Sequence, residues 1–136
     1  MSNNRHNARK AIVQALYQWH ITNQDAEDIE FNFAEIHDMQ NIDRKFFREA
    51  MNAIPSQIDK LQSCIDPHTG RDFDTLDPVE RAILLLGSYE LLNKPDVPKR
   101  VVINESIELA KTFGADHSYK FVNGVMDKLA LQLRTE

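Results

Sequence analysis

The chain has 136 residues, 42% apolar and 27% charged, a globular mixture with enough length for one hydrophobic core and no need of a disulfide or metal staple. Its 16 basic and 21 acidic side chains give −5, which excludes a bulk basic surface, and its one cysteine, Cys64, excludes an intramolecular disulfide. No run is apolar enough to span a membrane, and no charged leader precedes an apolar stretch and cleavage site, so cytoplasm is the expected compartment.

With few glycines, no sustained alternation and repeated 3.6-period apolar stripes, the pattern predicts an all-α protein of six helices in two halves. Residues 1–8 are expected to form a flexible basic tail. An all-helical domain follows over 9–136, with subdomains at about 9–66 and 77–136. The first helix is predicted from about Arg9 to Thr22, with Ile12, Leu16 and Trp19 on one face and Lys10, Gln14 and Tyr17 on the other. Arg5, Arg9 and Lys10 stand in residues 1–24 without a single acid, a local +3 that leaves −8 for the rest of a chain at −5. Residues 25–43 reverse the sign, with Asp25, Glu27, Asp28, Glu30, Glu35, Asp38 and Asp43 and no Lys or Arg, and read as a solvated face.

Ile29, Phe33 and Ile36 suggest a second, short helix. Asp43 is a candidate N-cap for a third, in which Phe47, Met51, Ile54, Ile58, Leu61 and Ile65 step by four and three, with a kink expected between Met51 and Pro55. Residues 66–76, containing Pro67 and Gly70, read as a turn-rich connection. Asp77-Pro78-Val79-Glu80 then supplies an N-cap acceptor, a proline at the first helical position and a glutamate able to fold back on the cap amide. That helix is predicted to reach about Leu92. A fifth runs from about Val101 to Phe113, with Gly114 as its C′ residue, and the last begins near Asp116 or Ser118 and buries Val122, Val125, Met126, Leu129 and Leu133.

The residues hold little enzyme chemistry. There is no Gly-rich phosphate loop, cysteine pair, metal-spaced histidine pair or glycine-flanked serine, and His6, His20, His37, His68 and His117 fall in separate segments. Cys64, late in an apolar helix, reads as an inert, buried or half-buried thiol. No catalytic residue, cofactor or metal is expected, which leaves surfaces as the seat of function.

Two surfaces carry suitable chemistry. Arg5, His6, Arg9, Lys10, Gln14 and Tyr17 offer the cations, amide and aromatic ring that single-stranded RNA uses, although three cations near a terminus are commonly there only for solubility. Lys120 and Phe121 fall in the first turn of the last helix, where the dipole favours an anion and an exposed ring could stack on a base, unless Phe121 belongs to the core. In the same segment, Gly124 suggests close approach by another helix, and Asn123 a bond to neighbouring backbone. Glu80 has two readings as well, completion of the cap or a carboxylate offered to another protein.

Four stretches resemble the NusB family of bacterial transcription antitermination factors, in order and spacing: Ala15-Leu16-Tyr17-Gln18-Trp19; Asp77-Pro78-Val79-Glu80-Arg81-Ala82-Ile83-Leu84 with Tyr89-Glu90-Leu91; Val97-Pro98 followed by Ile103-Asn104-Glu105-Ser106-Ile107-Glu108-Leu109-Ala110-Lys111; and Lys120-Phe121-Val122-Asn123-Gly124-Val125-Met126-Asp127. The resemblance runs from about Ala8 to Leu133. It implies a fold of two packed helical subdomains and a non-enzymatic role: pairing with NusE, which is also a small-subunit ribosomal protein, binding boxA RNA, and joining the complex on RNA polymerase that suppresses termination, notably in ribosomal RNA operons. Carried onto this sequence, the RNA surface would include Arg5, Arg9, Lys10, Gln14, Lys120 and Phe121, with His6 beside them, and the NusE surface Tyr17 and Glu80.

Two departures qualify the transfer. His6, Asn7 and Ala8 dilute the arginine cluster common in the family, so the isolated protein is expected to bind RNA weakly, and residues 66–76 look less helical than this connection usually does. A chain at −5 repels RNA at long range, which makes a basic co-binder physically reasonable. NusB-like domains also occur as RNA-binding appendages of ribosomal RNA methyltransferases, but those enzymes carry an α/β domain that these 136 residues lack. A helical protein–protein adaptor without an RNA role also fits the pattern, as does a homodimer of the free protein.

Overall fold

The computed structural model describes residues 3–134, which form seven α-helices and two short 3₁₀ turns. Among these residues there is no strand, and no helix is long and apolar enough to cross a membrane.

Helix α1 (Asn3–Thr22) begins well before the expected Arg9. Residues 3–8 of the expected tail are therefore helical, while Met1 and Ser2 lie outside the described residues. The cause is tertiary. The Asp43 amide donates to the Asn4 carbonyl at 3.0 Å, Asn7 Nδ2 donates to the Asn41 carbonyl at 3.0 Å, and Arg5 pairs with Asp43, so the 41–43 loop holds the first turns. Ala8, Ala11, Ile12, Ala15 and Leu16 form the buried stripe.

Helix α2 (Ala26–Ile36) starts at Asp25, whose carboxylate accepts from the Glu27 amide, with Glu27 and Asp28 favourably placed at the positive end of the dipole. Ile29 and Phe33 are buried, but Ile36, expected beside them, is 77% exposed. The helix ends there, the backbone turns extended at His37, and Met39 is the residue that returns to the core.

The predicted long third helix is two. α3 (Arg44–Ser56) buries Phe46, Phe47, Ala50, Met51 and Ile54, and α4 (Ile58–Ile65) buries Leu61 and Ile65. The break falls at Gln57, just past the expected 51–55 kink: Pro55 supplies no N–H to the ladder, and the Gln57 amide turns back to the Ala53 and Ile54 carbonyls.

Asp43 caps α3 by accepting from the Phe46 amide at 3.0 Å. Burial pushes its carboxyl up, but the Phe46 amide and the Arg5 guanidinium prevail and hold it below the usual carboxylate range. The stability from this group is present above the ordinary carboxylate titration and is lost as pH falls through the lower folded-state value. Asp43→Asn keeps a capping oxygen and removes the ionisable group. It is expected to flatten the acid limb of stability in urea melts across acid pH; identical limbs in both proteins would show that the pairing contributes nothing.

The connection holds 3₁₀ turns at Asp66–His68 and Phe73–Thr75, anchored by the buried Phe73 and Leu76. Helix α5 (Pro78–Asn93) follows, with the Asp77 carboxylate accepting from the Val79 and Glu80 amides. Every residue from Arg81 to Leu91 is buried, and α1, α3, α4, α6 and α7 all contact this helix, so α5 is the axis of the core. At its carboxyl end Arg134 donates to the Glu90, Leu91, Lys94 and Val97 carbonyls, tying the last turn of α5 and the turn after it to the segment that follows α7.

Helices α6 (Lys99–Phe113) and α7 (Ser118–Leu133) pack on each other and on α5. Gly114 ends α6 as its C-cap, one position earlier than the expected C′, with a φ of −87°, and a Cβ there would meet the Ala110 carbonyl at 2.7 Å and Ser118 Cβ at 2.9 Å. Close approach also explains Gly87, where a Cβ would sit 2.7 Å from Met126 Sδ. Gly124, expected to play that part, faces open space, and Asn123 beside it is exposed, its side chain without a hydrogen bond among the described residues.

Candidate nucleic-acid and partner interface

The structure divides the amino-terminal cations. Arg9 turns inward, its side chain 5% exposed, and donates from Nε and Nη2 to the two carboxylate oxygens of Glu90 at 2.8 and 2.9 Å, a bidentate pair inside the core. Its Nη1 lies 3.6 Å from Glu105. Burial pushes the guanidinium down, but hydrogen bonding and charge from Glu90, aided by Glu105, hold it above its ordinary value. A phosphate cannot reach it without breaking that pair, so Arg9 leaves the expected contact surface and becomes a residue that fixes α1 to α5.

Its neighbours are engaged less completely. Arg5 Nε pairs with Asp43 at 3.1 Å while its side chain stays 39% exposed, and His6 Nδ1 meets Glu105 at 2.7 Å. Beneath them lies the Phe46 ring, with the Arg5, Arg9 and Lys94 cations 4.3, 5.6 and 5.8 Å from its centroid. Lys94 is itself held by Glu49 at 2.6 Å, an interaction that raises the ammonium and lowers the carboxyl from their ordinary values. The acid-free stretch is thus matched by Asp43, Glu90 and Glu105, all from distant sequence.

Lys10 and Gln14 are different, since among the described residues neither has an intramolecular polar partner. Both line an open cleft of about 390 Å³ between α1 and the 37–42 segment. On its other side Gln14 lines an apolar hollow of about 260 Å³, together with Val13, Tyr17, Val79 and Phe113. The hollow joins α1, the start of α5 and the end of α6, with Tyr17 42% exposed at its edge. Glu80 follows Val79, and its Oε2 accepts from the Ser118 hydroxyl at 2.6 Å, linking the starts of α5 and α7. The cap is completed by Asp77 alone, so this carboxylate positions helices instead of closing a capping box.

Lys120 is exposed in the first turn of α7. Phe121 is half-buried, with one part of its ring against the core and the Arg71 guanidinium 4.3 Å from its centroid. It is neither a fully open platform nor a fully enclosed core residue. Arg71 is a cation that no sequence pattern singles out, because it lies in the turn-rich connection and meets Phe121 only through the fold. Among the described residues no group of His, Cys, Asp and Glu could hold a metal ion.

Fold and surface together define an all-helical protein with a polar cleft and an apolar hollow side by side, both reached from Gln14. The NusB family profile matches residues 6–131, and the chain belongs to the NusB family. The transcription antitermination protein NusB of Nitrosococcus oceani is 45% identical over 134 residues, covering 98% of this chain and 90% of that one. NusB of T. maritima superposes with a TM-score of 0.82 at 31% identity, covering 93% and 90% of the two chains. A crystal structure of antitermination factors NusB and NusE in complex with dsRNA has a chain that superposes with a TM-score of 0.88 at 25% identity, covering 97% of this chain and 99% of that one.

Proposed function

We propose that this chain is a transcription antitermination factor that binds boxA-type single-stranded RNA together with NusE and joins the antitermination complex on RNA polymerase, supporting ribosomal RNA operon transcription in the cytoplasm. The observation that carries the reading is the near full-length superposition on a NusB chain whose structure contains NusE and RNA. The site supports it. Lys10 and Gln14, with Lys120, Phe121 and Arg71, are the groups open to RNA, and Arg5 and His6 stand beside them already paired. Tyr17, which lines the hollow with Val79 and Phe113, and Glu80, which follows Val79 in the chain, are the groups assigned to NusE. With the chain at −5 and Arg5, His6 and Arg9 already paired to carboxylates, affinity for RNA alone is low and a basic co-binder raises it.

Fluorescence titration of boxA-like RNA with and without NusE tests this. NusE is expected to tighten binding in a sequence-dependent way, and Lys10→Glu with Lys120→Glu to weaken it and lower the salt slope. Binding that ignores NusE and RNA sequence would overturn the reading. Glu80→Gln adds a partner arm: it is expected to weaken NusE binding without preventing folding.

A further inference from the structure

The cleft between α1 and the 37–42 segment has features that phosphate binding by Lys10 does not use. It is floored by Ala11, Phe33 and Ile42 and walled by side-chain amides. At one edge the exposed His37 ring stacks on the buried Phe33 ring, with centroids 3.9 Å apart and planes 14° from parallel. His37 Nδ1 lies 3.2 Å from the Phe33 carbonyl, which fixes the imidazole by its inner nitrogen. An aromatic pair of this kind, held in register and covered on one face only, is a platform for a third ring. The opposite edge is equally ordered, since Asn7 Nδ2 donates to the Asn41 carbonyl at 3.0 Å and Asn41 holds a φ of +64°.

We infer that this cleft is a subsite for one unstacked nucleotide of single-stranded RNA, its base laid on His37 and its phosphate on Lys10. The inference rests on the RNA-binding reading above and adds a place and a chemistry to it. Three observations select a nucleotide over a simple anion. The volume of about 390 Å³ lies in the range of small-ligand sites. Among the described residues Lys10 is the only Lys or Arg lining the cleft, whereas Asp38 lines the far side, so a phosphate is favoured at α1 and repelled at the loop. The amides of Gln14 and Gln40 and the Asp38 carboxylate supply donors and acceptors for a base edge, and a carboxylate there favours a base with an exocyclic amine over uracil.

The test uses the full chain with NusE and a boxA-like RNA carrying an abasic residue at each position in turn. For the parent protein one position is expected to lose about 5- to 100-fold in affinity when its base is removed. In His37→Ala the intact RNA should lose a similar factor, and the abasic change at that position should cost nothing more. His37→Phe should restore stacking. Equal abasic profiles for parent and His37→Ala overturn the subsite. A second readout needs no variant: the ring protons of His37 should move upfield when RNA binds, and a silent ring beside shifts at Lys10 would show phosphate contact without base capture. If the parent complex fails to bind boxA-like RNA at all, the underlying reading fails instead.

Discussion

Arg9→Met is expected to cost about 3 to 5 kcal/mol of folding stability at neutral pH, a large share of what holds a domain of this size together. The loss comes less from the missing guanidinium than from the carboxylate it leaves behind. Glu90 has a side chain 2% exposed, and Arg9 is the cation that meets both of its oxygens. Without that partner a charge stays in the core uncompensated. The double variant Arg9→Met with Glu90→Leu removes both charges, and it should recover most of the stability because well-packed apolar replacements of a buried pair are often neutral or better. Arg9→Lys should fall between, since an ammonium cannot reproduce two parallel N–H donors. Urea melts of the four proteins form the check. A single variant as stable as the parent would mean that the pair carries no weight, and a double variant as unstable as the single one would trace the loss to packing.

The same pair shows where sequence reading stops. Counting charges along residues 1–24 finds three cations and no acids, and the natural inference is a free basic end. In space the count changes, because Asp43, Glu90 and Glu105 come from the loop before α3, from α5 and from α6 to meet Arg5, Arg9 and His6. Ion pairs between residues 81 positions apart leave no local signature. The early start of α1 is hidden for the same reason, its first turns being held by the 41–43 loop. What was legible depended on period or local chemistry: the apolar stripes of α1, α3 and α7, and the Asp43 and Asp77 caps.

Glycine marks the boundary sharply. Gly124 in the Lys120–Asp127 stretch stands out in the sequence because a glycine inside a helix is costly, yet it touches nothing, while Gly87 is the position where α5 and α7 exclude a Cβ. Composition shows that a glycine is present and not what faces it. The candidate site divides along the same line. Gln14, Tyr17 and Lys120 are exposed and Lys10 partly so, as their helical positions imply, and Phe33 and His37 stand four residues apart at helical spacing, whereas the meeting of Arg71 with Phe121 depends on a chain turn that no spacing rule supplies.

Phe46→Ala should cost about 3 to 5 kcal/mol as well, by a different route. The ring is 1% exposed and lies under the cations of Arg5, Arg9 and Lys94, so it is both core filling and the floor of three ion pairs. Truncation opens a cavity and removes that floor together. Phe46→Leu separates the two contributions, because it keeps much of the apolar volume and abolishes the π face. If cation–π contact helps to hold the first turns of α1, amide hydrogen exchange in residues 4–10 should speed up in Phe46→Leu more than its small loss of global stability explains. If the ring matters only as volume, exchange there should track global stability in both variants. Binding sharpens the distinction, since Lys10 extends from this same helix. A Leu variant that folds normally but binds RNA less tightly would show that the ring beneath the paired cations also sets the position of the unpaired one.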